Sequence, residues 1–174
     1  MKAIKIFGLI ILAIIGLLFV IPAYLPTEVT SSETVFLKSD PVTIFKAINR
    51  PENWMKWSAW FESDPELSVY YCGPKEGVGA EMHWKGPVSG EGKVKIVKSV
   101  PYKKIQYQLY FYENILTRGI FLIHPKENGT ELEWQMKLDS LSYPFERWKG
   151  AILPLTIKTD FRQGLNQMKT FLSK

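Results

Sequence analysis

The chain of 174 residues contains one cysteine, Cys72, and two histidines, His83 and His124. A single cysteine excludes an internal disulfide, and two distant histidines without cysteines or carboxylates at ligand spacing provide no metal-binding motif. A glycine-rich phosphate loop is also missing, because Gly77-Val78-Gly79 lies in a predicted hairpin connection and does not open a helix. The sequence therefore predicts neither a metal nor a cofactor.

Charge is sparse and scattered along the chain. The net charge is +5, and two of the lysines lie at the extreme N-terminus, which leaves +3 for the remainder (20 Lys and Arg minus 17 Asp and Glu). A basic stripe of the kind that binds nucleic acid is not present, so nucleic acid is not expected as a partner. Glu62, Asp64 and Glu66 crowd one loop, for which a solvated turn is the expected interpretation and a cation site the alternative.

The chain has one long uncharged stretch, and it lies at the N-terminus. The twenty residues from Ile6 to Leu25 carry no charge, and fourteen of them are Leu, Ile, Val or Phe. About 20 such residues suffice to cross a bilayer core. A cleaved signal peptide is the alternative, but its apolar region is usually about 7–15 residues long and ends in a small-x-small site, for which Ile21-Pro22-Ala23 is a poor match. We expect an uncleaved anchor over residues 1–25, followed by a short linker over 26–30.

The charges that flank the apolar run predict its orientation. Lys2 and Lys5 precede it, whereas Glu28 and Glu33 are the first charges after it. Positively charged flanks stay in the cytoplasm. The expected topology is a single-pass protein with a cytoplasmic N-terminus and an extracytoplasmic domain.

Residues 31–174 are numerous enough for one domain with a full core. A first strand is predicted over 31–38, and Ser39 or Asp40 then caps a helix with Pro41 in its first turn. A second short helix is predicted over 51–57, in the segment where three of the six tryptophans, Trp54, Trp57 and Trp60, fall within seven residues. Glycine, proline and asparagine separate the predicted strands that follow, at 67–72, 80–85, 92–100, 104–112, 115–124 and 130–139.

Strict alternation marks the last of these strands. Leu132, Trp134, Met136 and Leu138 fall on one face and charged or amide residues on the other, which is typical of an antiparallel sheet with one wet face. Apolar residues at spacings of three and four then predict a helix over 155–172 that lies across the sheet. Gly164 within it indicates either close helix–sheet packing or room for a ligand.

Four segments together resemble one known family. They are Asp40-Pro41-Val42-Thr43-Ile44-Phe45, the tryptophan segment from Asn53 to Trp60, the turn from Gly73 to Ala80, and Asp160-Phe161-Arg162-Gln163-Gly164-Leu165. The chain resembles the SRPBCC (START/Bet v 1-like) superfamily, in its bacterial polyketide cyclase/dehydrase-like branch. The resemblance implies an α+β helix-grip fold, in which a curved antiparallel sheet of about seven strands wraps around a long C-terminal helix, with two short helices after strand one.

The resemblance also implies a deep apolar cavity between sheet and last helix, which members of the superfamily use for lipids, sterols, polyketides and other hydrophobic molecules. Tyr143 and Trp148 are expected near this cavity, and Arg118 is either an inward charge or a surface residue. For each aromatic residue the alternative is that it fills the core. The predicted ligand-binding residues are Trp54, Trp57, Trp60, Trp84, Tyr107, Trp134, Met136, Phe161 and Leu165.

The expected function is a membrane-anchored domain, anchored through residues 6–25, that binds a hydrophobic small molecule or lipid without catalysis. One alternative is a cyclase- or dehydratase-like enzyme in which Tyr107 or His124 polarises a carbonyl group; both are weak candidates. His83 falls on the predicted solvent face. A second alternative is a protein-interaction module of the chaperone-binding type that uses the outer face of the sheet.

Overall fold

The computed structural model describes residues 2–61, 64–111 and 115–173. Its first element is a helix, α1 (Lys2–Tyr24). The part from Ile4 to Tyr24 is long and apolar enough to cross a membrane, and every residue of it except Pro22 is exposed. The helix is therefore not a core helix of this domain.

Seven antiparallel strands form one open sheet, as predicted. Their order is β1-β7-β6-β5-β4-β3-β2, so the first strand pairs with the last and the second forms the far edge. Two-residue alternation positions the inward residues: every second residue of the last strand, from Thr130 to Leu138, is buried. The strands are β1 (Val29–Leu37), β2 (Ser68–Cys72), β3 (Glu81–Gly86), β4 (Gly90–Val100), β5 (Lys104–Phe111), β6 (Ile115–Lys126) and β7 (Gly129–Leu138).

Short helices connect β1 to β2. Helix α2 (Pro41–Asn49) begins at Asp40, whose carboxylate accepts hydrogen bonds from the backbone N–H groups of Val42 (2.9 Å) and Thr43 (3.0 Å). These two donors would otherwise lack partners in the first turn. Two 3-10 turns follow, at Pro51–Lys56 and Ala59–Phe61, and they carry the tryptophan segment over the inner face of the sheet.

The C-terminal helix α3 (Phe145–Leu172) lies against the inner face and is longer than predicted. It begins ten residues before the expected start, with Pro154 inside it. Because a proline has no N–H, Pro154 leaves the Gly150 carbonyl without its backbone hydrogen bond. The predicted helix, over 155–172, leaves Pro154 outside. The packing interpretation of Gly164 is correct, because an added Cβ atom would lie 3.2 Å from the Trp134 ring and 3.4 Å from the Trp57 carbonyl oxygen.

Candidate functional site: a cavity between the sheet and the first half of helix α3

A cluster of aromatic side chains fills the space between the sheet and the second half of α3. Trp54, Trp57, Tyr107, Phe121, Trp134 and Phe161 are all fully buried. We call these six residues the aromatic cluster. Four contacts within it are edge-to-face, with ring centroids 5.0–6.0 Å apart, and Phe161 of α3 stacks on Trp134 at 4.0 Å. The cluster is a solid part of the core.

Two hydrogen bonds fix three of the four polar side-chain atoms of the aromatic cluster, and the fourth, Trp57 Nε1, is buried without a partner among the described residues. Trp54 Nε1 donates to the Ile48 carbonyl oxygen at 2.9 Å, and Trp134 Nε1 donates to Tyr107 Oη at 2.7 Å. Complete burial raises the pKa of the Tyr107 hydroxyl well above its ordinary value. Gly119 on β6 makes room for this ring, because a Cβ atom there would overlap it.

Beside the aromatic cluster lies a cavity of about 700 Å³. The sheet and the second 3-10 turn form one wall, and a single stripe of α3 forms the other. The stripe repeats every three to four residues, so its members share one helix face. The first wall contains Phe61, Trp84, Ser89, Leu109, Thr117 and Met136, and the second contains Trp148, Lys149, Ile152, Leu153, Thr156, Ile157 and Asp160.

Only two charged groups occur among these lining residues, Lys149 and Asp160. Asp160 is half-buried and has neither a hydrogen bond nor an ion pair within the described part of the chain. Its burial raises the pKa of the carboxyl group above the ordinary value. Lys149 is exposed and lies eleven residues earlier, about 17 Å away along the helix axis. The cavity is an apolar container with one charge near each end.

The structure divides the predicted ligand-binding residues into two groups. Trp84 and Met136 line the cavity, as does Trp148. Trp54, Trp57, Tyr107, Trp134, Phe161 and Leu165 are buried in the core and are not among the lining residues. The side chain of Trp60 lies outside the described part of the structure. Sequence reasoning missed the α3 stripe, although its spacing of three and four from Lys149 to Asp160 is visible once Pro154 is accepted inside a helix.

The remaining candidate residues lie away from the cavity. His124 is exposed at the sheet surface, 3.8 Å from Glu133, and His83 stacks on Tyr70 and contacts Glu81 at 2.9 Å. Arg118 is a surface residue paired with Asp139, so its inward alternative is wrong.

Asp64 is not part of a cation site in the described residues, among which no group of potential metal ligands occurs. Its carboxylate instead accepts hydrogen bonds from the N–H groups of Val88 (3.0 Å) and Ser89 (2.7 Å). These bonds, chiefly the one from Ser89, lower the pKa of the carboxyl group and hold the β3–β4 turn at the rim of the cavity. Glu62 lies outside the described residues.

The end of the cavity nearest Trp148 touches helix α1. Trp148 Nε1 donates to the Leu18 carbonyl oxygen at 3.0 Å, and Tyr143 Oη donates to that of Phe19 at 2.7 Å. Leu18 needs such a donor because Pro22, four residues later, has no N–H to offer. Arg147 donates to the carbonyl oxygen of Pro22 at 3.0 Å. The start of α3 thus satisfies carbonyl groups at the end of α1.

Comparisons with known proteins concern the fold. No family model and no protein with a curated description matches the chain. Solved structures do. The chain is similar to protein CV1439 from Chromobacterium violaceum, with 18% identity over 83% of this chain and 98% of that one and a TM-score of 0.62. It is also similar to the Aha1 dimer from Colwellia psychrerythraea, with 18% identity over 83% of this chain and 96% of that one and a TM-score of 0.58. For Ara h 8.0201 the identity is 12% over 83% of this chain and 97% of that one, with a TM-score of 0.59.

These likenesses bear out the predicted architecture. The chain has an α+β helix-grip fold. At such low identity the likeness extends to the fold alone, and function depends on the site.

Proposed function

We propose that this protein is a membrane-anchored domain that binds a hydrophobic small molecule, of the lipid or isoprenoid class, in the cavity beside α3. The observation that carries the proposal is the cavity of about 700 Å³ with its largely apolar lining. Sites for small molecules are typically concave, apolar and about 300–1,000 Å³ in volume. An empty cavity of that size lowers the stability of the folded protein, because the lining atoms lack packing partners, and a bound ligand would supply them.

Helix α1 supports the membrane part of the proposal. From Ile6 to Tyr24 it carries no charge, and every residue of its candidate span except Pro22 is exposed. A cleaved signal peptide would take the partners of Tyr143, Arg147 and Trp148 with it, which favours a retained helix. Tyr, Trp and Arg side chains are also the ones that favour a membrane–water interface.

The position of the cavity supports the bilayer as the source of the ligand. Trp148 lines the cavity and contacts Leu18, which lies six residues, or about 9 Å, before the end of α1. Phe145, Ile152 and Leu155 on the same half of α3 are 60–70% exposed. An apolar patch of this kind beside a membrane helix suits contact with lipid.

Native mass spectrometry of the full chain, extracted in mild detergent, tests the proposal. We expect a co-purified hydrophobic ligand, and we expect Thr156→Trp to expel it, because Thr156 is exposed on α3 and faces the cavity. Thr159→Trp is the matched control, since Thr159 is also exposed on α3 but lies outside the cavity lining. An empty wild-type protein that also takes up nothing from a membrane lipid extract would disprove the proposal.

The same variants separate small-molecule binding from the protein-interaction alternative. A partner protein that binds the outer face of the sheet would be captured equally by wild type and by Thr156→Trp. A cyclase-like reaction would instead require groups at the cavity, and neither Tyr107 nor His124 is among the lining residues.

A further inference from the structure

The α3 wall of the cavity has a defined polarity along its length. From Trp148, which contacts α1, to Asp160 the helix rises about 18 Å. Lys149 lies next to Trp148, and the lining residues between Lys149 and Asp160 are the apolar Ile152, Leu153 and Ile157 together with Thr156. The end of the cavity beside α1 is therefore lined by Trp148 and Lys149, whereas the opposite end terminates at the Asp160 carboxylate.

Within the described part of the chain, no group near Asp160 stabilises its ionised form. Among the described residues that line the opposite wall, the polar ones, Ser89 and Thr117, are neutral. Lys149 on its own helix is three turns away, and Lys158 and Arg162, its neighbours in sequence, are exposed, with Arg162 paired to Glu33 at 3.0 Å. A carboxylate without a partner in an apolar site is unfavourable, and a bound cation would relieve that cost.

We propose that the cavity binds an amphiphile with a protonated amine, which contacts the Asp160 carboxylate while the apolar chain extends along α3 toward Trp148. This inference rests on the proposed function and adds the chemical class and the orientation of the ligand. A charged amine offers the strongest hydrogen bond to a carboxylate. Lys149, about 17 Å from Asp160, is beyond a Debye length at physiological ionic strength and does not repel the amine appreciably.

The test compares three amphiphiles of one chain length, dodecylamine, dodecanol and dodecanoic acid, added to the full chain in lipid nanodiscs. We expect dodecylamine to bind best at pH 7, and Asp160→Asn to weaken it by about tenfold to a hundredfold, the range for a hydrogen bond to a charged group. Dodecanol affinity should stay nearly unchanged. Glu127→Gln, which removes an exposed carboxylate from the β6–β7 turn, is the matched control and should change neither affinity.

The pH dependence gives a second readout. Burial raises the pKa of Asp160, so dodecylamine binding should fall as the pH is lowered through that pKa, and the dependence should vanish in Asp160→Asn. The variant is expected to fold, because the ionised carboxyl group destabilises the folded chain at neutral pH and asparagine removes that charge.

Equal binding of all three amphiphiles, or an Asp160→Asn variant that keeps its preference for the amine, would overturn this inference and leave the proposed function intact. Failure of the wild-type chain to bind any of them would overturn both.

Discussion

At the scale of single residues, Trp57 best represents the aromatic cluster. Its ring contacts Trp54, Phe121 and Trp134 and has no exposed surface. Trp57→Ala should lower the free energy of unfolding by about 3–5 kcal/mol, the usual cost of deleting a large buried aromatic side chain. Chemical denaturation monitored by circular dichroism measures the change. Met55→Ala, at a side chain that is 37% exposed in the 3-10 turn just before Trp57, should cost much less. Equal effects of the two substitutions would contradict the assignment of Trp57 to the core.

The sequence predicts which residues face the interior, but not which of them line a cavity and which pack against other side chains. Alternation correctly placed Trp84, Tyr107, Trp134 and Met136 on the inner face of the sheet. Whether an inward ring packs or lines a cavity depends on its neighbours across the core. Tyr107 packs because Gly119 leaves room for its ring, and these two residues are brought together only by the pairing of β5 with β6.

At the scale of elements, the strands and short helices follow from local sequence, whereas the start of α3 does not. Strand alternation and the Asp40 cap are local signals, and the observed bounds lie within a few residues of the predicted ones. Residues 145–154 give no amphipathic signal of that kind, because several of their apolar side chains contact α1 or remain exposed. Pro154 also suggests a helix boundary where the structure has none. The cavity wall formed by this segment therefore required the tertiary structure.

The contact between α1 and α3 gives an element-scale prediction. Trp148→Phe keeps an aromatic ring but removes the donor to the Leu18 carbonyl oxygen. A neutral hydrogen bond contributes about 0.5–1.5 kcal/mol, so amides of residues 145–153 should exchange about twofold to tenfold faster with solvent deuterium in nanodiscs. Tyr24→Phe is the control, because Tyr24 is 87% exposed at the end of α1.

A second substitution tests the reason for that contact. Pro22→Ala supplies the N–H that Leu18 lacks within the helix, so Trp148 becomes a less important donor. The increase in exchange caused by Trp148→Phe should then be smaller in the Pro22→Ala background than in wild type. The same increase in both backgrounds would show that the proline is not why α3 supplies a donor to α1.

At the scale of the whole molecule, the side of the membrane on which the domain lies decides which molecules the cavity meets. Lys2 and Lys5 precede α1, and Glu28 and Glu33 follow it, so we predict an extracytoplasmic domain. Helix α1 ends at Tyr24 and β1 begins at Val29, and such a short connection, spanning about 15–18 Å at most, keeps the domain at the membrane surface on either side.

Protease added to intact spheroplasts measures the topology directly. It should digest the domain from about residue 30 onward while cytoplasmic marker proteins stay whole. Adding a pair of lysines after Leu25 should weaken the charge asymmetry and increase the protected fraction, since the positive flank would then compete for the cytoplasmic side. Protection of the unaltered domain until the membrane is lysed would reverse the orientation. Recovery of the domain in the soluble fraction would show that the N-terminal run is cleaved, and would separate Trp148 from the Leu18 carbonyl group that it contacts.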